Sequence, residues 1–215
     1  LARAQALFPA VRVLFTLRNP LTRLVSAYLF ALKVNAWFRN PGHHSVPDGC
    51  LYLPFNDWLQ GRLTVDGHDD RFDFMANLRI AIGRLGIDNV GVFLFEDMVR
   101  DPASYLQRMA DFLGIDRREA AGLPLDHFMP AITLGQYRWL QQLQSDESSL
   151  RHCLEGGRAT IRSGFEKAGT ADPARARITL DDEAVALITA RSRDDHRWLA
   201  ETFDLDLAAH GYPVD

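Results

Sequence analysis

Hydrophobic positions along this chain come in two kinds of run. Val11–Leu17 is apolar at nearly every position and rich in β-formers, the pattern of a parallel strand covered on both faces. It stops at Arg18-Asn19-Pro20, where asparagine is a good N-cap and proline a good first helical residue, so a helix starts at once. Leu21, Leu24, Val25, Tyr28, Leu29 and Leu32 then recur at helical spacing and predict one buried stripe. The prediction is strand, tight turn, helix.

From about Val34 to Asp70 the pattern is mixed, with turn signals at Pro41-Gly42, Pro47-Asp48-Gly49 and Asp66-Gly67 and a short helix around Phe55–Leu59. Phe72–Leu85 reads as a longer helix ending at Gly86, and Val90–Phe95 as a second buried strand. Asp101-Pro102 repeats the cap-plus-proline start, and Tyr105, Leu106, Met109 and Phe112 lead to a C-cap at Gly114. The rest is mainly helical, broken near Gly156-Gly157 and from Ala168 to Pro173, with Thr179 or Asp181 capping a last helix through Trp198. Strands alternating with helices predict an α/β fold with a parallel sheet and a helix-rich C-terminal half. Two strands are too few for such a sheet, so further strands are expected before Leu1.

Composition narrows the classes. The chain has 215 residues, 47% of them hydrophobic, enough for one sizeable core and against disorder; a single domain over residues 1–215 is expected. A net charge of −4 gives no support to a nucleic-acid partner, so an anion site must be a local arginine cluster. Of the 24 basic residues only Lys33 and Lys167 are lysines, a bias expected of a GC-rich, bacterial genome. No run of 18 apolar residues occurs, so no membrane span is expected. Cys50 and Cys153 lie far apart, form no metal spacing, and either pair or stay free. No signal peptide is recognised; the chain is expected to begin inside a longer protein, and a cytoplasmic location is expected.

Ligands of open α/β sheets bind beyond the carboxyl ends of the strands, which is where Arg18 stands. Asn19, Arg23 and Ser26 fall at i, i+4 and i+7 and share a helix face. Arg18, the helix-mouth amides and the Ser26 hydroxyl suit a phosphate dianion. Spacing alone equally allows Arg18 to pair with a local carboxylate and Ser26 to be merely exposed.

The segment from Leu14 to Tyr28 resembles the 3′-phosphate-binding signature of sulfotransferases that use 3′-phosphoadenosine 5′-phosphosulfate. There a strand ending in Arg-Asn/Asp-Pro runs into a helix with serine eight residues after the arginine and an aromatic two beyond. The resemblance assigns 3′-phosphate binding to Arg18 and Ser26, and matches Arg23 to an arginine common in carbohydrate and bacterial members. Phe95-Glu-Asp-Met98 with Asp101-Pro102, continuing to Phe112-Leu-Gly114, is similar to a second family segment, in which Glu96 is a framework residue. Together these cover about Val11 to Ile115. A third segment, Ile161-Arg162-Ser163-Gly164, stands where the family has an Arg-Lys-Gly loop over the 3′-phosphate. It implies Arg162 and Gly164 as further cofactor contacts, with serine replacing the lysine and Arg158 a nearby alternative; a solvated helix end is the competing reading.

The family's 5′-phosphosulfate loop and catalytic base do not fall within residues 1–10 and are expected upstream of Leu1. His43, His44 and His68 sit in polar loops without metal spacing and read as surface residues, and no metal is expected. Trp37, Phe38, Tyr52, Phe55 and Trp58 make a candidate acceptor-side wall, with Phe55 and Trp58 better suited to core packing. The resemblance implies a P-loop-like three-layer sandwich. It also implies transfer of a sulfuryl group to a hydroxyl or amine of a small-molecule or carbohydrate acceptor. The rivals are another P-loop phosphoryl-transfer enzyme, such as a small-molecule or nucleotide kinase, and a non-catalytic binding domain that kept the fold.

Overall fold

The computed structural model describes residues 10–38, 50–64, 74–123 and 131–214. In chain order the elements are β1 (Val13–Leu17), α1 (Pro20–Phe38), α2 (Phe55–Thr64), α3 (Phe74–Leu85), β2 (Val90–Leu94), α4 (Phe95–Arg100), α5 (Pro102–Leu113), α6 (Arg117–Ala121), α7 (Leu134–Ser145), α8 (Glu147–Glu155), α9 (Gly157–Ala171) and α10 (Asp182–Phe203). The chain divides into two compact units, one of Leu1–Pro20, His68–His127 and Leu187–Asp215, the other of Leu21–Gly67 and Phe128–Ala186. The boundaries fall inside α1, after Pro20, and inside α10, after Ala186.

The first unit holds the sheet. Among the described residues it is two-stranded and parallel, with Val13 opposite Val90 and Leu17 opposite Leu94. β1 is only partly covered: Leu17 is buried, Val13–Phe15 are half-buried and Thr16 is exposed, its hydroxyl 3.0 Å from that of Tyr105. Leu17, Met75, Leu78, Ala81, Val90, Leu94, Leu199, Leu207 and Tyr212 form the core. Pairing joins strands about seventy residues apart, and the connection carries the α3 helix that packs its apolar face into that core.

Local signals set the ends of these elements. α1 opens at Pro20, directly after the strand and turn, as expected. Asp101 accepts the Ser104 amide N–H at 3.1 Å, Pro102 takes the first turn of α5, and Gly114 ends it in the left-handed region at φ 72°. Asp101→Ala is expected to cost about 1 kcal/mol, read as a lower urea midpoint at unchanged m; an unchanged midpoint would show that Ser104 finds another acceptor.

The second unit packs helices. α2 continues to Thr64, past the Leu59 end expected from its apolar residues. Around α1, Leu24, Tyr28, Leu29 and Leu32 of the predicted stripe are buried, as is Ala36 further along, while Leu21 and Val25 are only half-buried. Lys33 and Asn35 are buried with them. The Asn35 amide donates to the Cys50 carbonyl at 3.1 Å, and the Lys33 ammonium lies 4.6 Å from the Trp37 ring centroid. Burial lowers the Lys33 pKa, since desolvation disfavours the charged form. α7 starts with a capping box between Thr133 and Gln136, and Asp181 caps α10 by accepting the Ala184 N–H at 2.8 Å.

Candidate functional site

Because β1 and β2 run parallel in register, both strands end at the same level. The residues that follow, Arg18-Asn19 and Phe95-Glu96, therefore sit side by side at the carboxyl edge of the sheet, where α/β folds place their ligands. The Arg18 guanidinium lies over the Phe95 ring, 4.7 Å from its centroid. A planar, delocalised cation is attracted to the face of an aromatic ring in this way.

Asn19 is buried at the turn. Its backbone N–H donates to Glu96 Oε1 at 2.9 Å, and its side-chain amide donates to the carbonyls of His210 and Gly211 at 3.1 and 2.7 Å. The other Glu96 oxygen accepts the Tyr212 hydroxyl at 3.0 Å. Asp97 next to it accepts from Arg100 at 2.7 Å and Arg108 at 2.8 Å, with His210 Nε2 3.2 Å away. The arginines are more than half solvent-exposed or close to it, so these pairs add little to stability. The His210 contact is the one that joins the C-terminal turn to α4. Sequence reasoning gave Glu96 a framework role but missed Tyr212 and His210, which no local signal connects to residues 19, 96 and 97.

Arg23 and Ser26 lie in the first turns of α1 and are half-buried. Arg162 is elsewhere: its guanidinium sits 5.8 Å from the Trp37 ring centroid and pairs with Glu166 at 2.8 Å. Trp37 is eleven residues beyond Ser26, about 16 Å along the helix, so the structure does not bring Arg162 to Ser26. Nor is Ile161–Gly164 a loop or a helix end. It lies in the middle of α9, where a Cβ on Gly164 would come within 2.5 Å of Trp139 Cζ2, so this glycine serves close helix packing. His43, His44 and His68 lie outside the described residues.

Of the candidate aromatic wall, Phe55 and Trp58 are buried against Tyr28, with ring centroids 5.3 and 5.5 Å from it. The Tyr28 hydroxyl donates to the Leu53 carbonyl at 2.7 Å. Tyr52 instead meets Tyr137, hydroxyl to hydroxyl at 3.2 Å, and accepts from Gln141 at 3.0 Å. Burial pushes the Tyr28 phenol well above its ordinary range. Burial, then the Tyr52 hydroxyl, pushes Tyr137 up to about 12. The folded pKa is raised, so the unfolded chain ionises first; stability is whole below about pH 10 and falls as pH rises from there toward 12. Tyr52→Phe is expected to bring the Tyr137 phenolate transition to lower pH in an absorbance titration, and an unmoved midpoint would remove Tyr52 as a cause.

Among the described residues no helix is long and apolar enough to cross a membrane, and no three His, Cys, Asp or Glu side chains are grouped to hold a metal. Comparison with curated proteins and with solved structures found no match in either. A protein-family profile described as Sulfotransferase domain matches residues 1–155, which takes in β1, the Arg18 turn, α1, β2 and α4 and stops short of Ile161–Gly164. That span is well over half of the chain, and it contains the strand ends described above. The chain belongs to the sulfotransferase domain family.

Proposed function

We propose that this protein transfers the sulfuryl group of 3′-phosphoadenosine 5′-phosphosulfate to a hydroxyl or amine of a small-molecule or carbohydrate acceptor, on a P-loop-like three-layer sandwich. The observation that carries the reading is the junction of β1, Arg18-Asn19-Pro20 and α1, with Arg18 stacked on Phe95 at the carboxyl edge of the sheet. Arg18 supplies a charged, forked grip on the 3′-phosphate, Ser26 one directed hydrogen bond, and Arg23 further positive charge. The family match over the same residues supports it. In the transfer, a base takes the acceptor proton and a bond forms from the acceptor oxygen or nitrogen to sulfur. The bond from sulfur to the bridging oxygen breaks, and adenosine 3′,5′-bisphosphate leaves.

The test is transfer of labelled sulfur from that donor to a panel of sugar, phenol and amine acceptors. With the full-length protein, label is expected on at least one acceptor, with adenosine 3′,5′-bisphosphate accumulating in equal amount. Magnesium-dependent turnover of ATP without sulfur transfer would overturn the reading in favour of phosphoryl transfer.

A further inference from the structure

We propose that Tyr212, Glu96 and Asn19 form a positioning chain that holds Arg18 for the 3′-phosphate, so that the C-terminal turn takes part in donor selectivity. This rests on the reading of Arg18 given above. The chain is a closed ring of hydrogen bonds: Glu96 accepts from the Asn19 backbone and from Tyr212, while the Asn19 amide donates to the carbonyls at 210 and 211. Every link lies within one compact unit.

The need for the ring follows from the junction itself. The strand ladder ends at Leu17 and helical bonding begins after Pro20, so the Asn19 N–H lies between two bonding patterns and takes a side-chain acceptor. Pro20 also restricts Asn19 to extended backbone. A residue fixed at its N–H, its side chain and its following proline leaves its predecessor little freedom, and that predecessor is Arg18. The ring touched by the Arg18 guanidinium belongs to Phe95, the residue before Glu96. Thus both halves of the Arg18–Phe95 stack are one residue from the bonded ring. Gly211 lets the far side close: at φ 68° the chain turns so that two successive carbonyls face one amide, a conformation that disfavours other residues. Tyr212 is buried, with the His196 ring edge-on at 5.1 Å, so its hydroxyl is delivered to Glu96 from a rigid base.

The experiment is titration of adenosine 3′,5′-bisphosphate and of adenosine 5′-phosphate into the purified protein and its variants, with thermal melts alongside. Glu96→Ala is expected to weaken bisphosphate binding about tenfold and Tyr212→Phe roughly threefold, with adenosine 5′-phosphate nearly unchanged. Glu96→Gln keeps an acceptor for Asn19 and is expected to restore much of the loss. In an Arg18→Ala background Glu96→Ala should add no further loss, a coupling that a purely structural role does not produce. Equal weakening of both nucleotides, or additive losses in the double variant, overturns the proposal while leaving the 3′-phosphate reading intact. Wild-type protein that binds the two nucleotides equally overturns that reading and the proposal with it. If Glu96→Ala does not fold, Tyr212→Phe decides alone, since it deletes one hydroxyl and keeps the ring.

Discussion

Arg18→Ala is expected to weaken binding of adenosine 3′,5′-bisphosphate by roughly 2–4 kcal/mol, about 30- to 1,000-fold. The side chain is half-buried and stacked on Phe95 at 4.7 Å, so little of its rotamer entropy is left to lose on binding a ligand. A charged, forked hydrogen bond to a phosphate made in such a setting is among the stronger polar contacts available. Adenosine 5′-phosphate lacks the 3′ group, and its weaker binding should hardly change. Ser26→Ala should show the same selectivity with a smaller loss, on the order of 1–2 kcal/mol. Arg18→Lys should fall between, because an ammonium keeps the charge but neither stacks nor forks. Calorimetric titration of both nucleotides is the measurement. Losses of equal size for the two would remove Arg18 and Ser26 from the 3′-phosphate site and point to general destabilisation.

Gly135→Ala is expected to destabilise the helical unit by roughly 3 kcal/mol, lowering its melting temperature by about 6–12 °C. A Cβ at residue 135 would stand 2.0 Å from the Ala168 carbonyl oxygen and 3.0 Å from its carbon, both backbone atoms of α9 that no rotamer change can clear. Relief requires α7 and α9 to move apart, which also strains the Gly135 N–H bond to the Asp172 carbonyl at 3.1 Å. Gly83, inside α3, is the control, because a Cβ there meets nothing within 4 Å. Gly83→Ala should be stabilising by roughly 0.5–1 kcal/mol through helix propensity alone. If Gly135→Ala melted no lower than Gly83→Ala, the close approach of α7 to α9 would be wrong.

Two other glycines mark where reading along the chain works and where it stops. At Gly114, the sequence pattern of a cap, a proline and a glycine describes α5 from end to end, because each signal acts within one turn of the residue that carries it. At Gly164 the same residue type suggested a phosphate loop, while the structure has an unbroken helix. The reason is non-local: glycine's helix penalty is offset there by the approach of Trp139, which a sequence window around 164 does not contain. Arg162 goes with it: it pairs with Glu166 one turn along the same helix, and only packing brings it to Trp37 on α1.

Local sequence therefore sets the strand ending at Leu17, the helix beginning at Pro20, and the placing of Arg18 and Asn19 between them. These follow from β-rich apolar runs, proline's fixed φ and 3.6-residue periodicity, all properties of neighbouring residues. Which groups stand around that junction depends on contacts made through folding. Parallel pairing in register set Phe95 under Arg18 and Glu96 against Asn19, and folding of the last residues carried Tyr212 to the same carboxylate. Partners separated by 77 to 192 residues leave no periodic trace in the chain. Burial and the need to satisfy each buried polar group select them only once the core has formed.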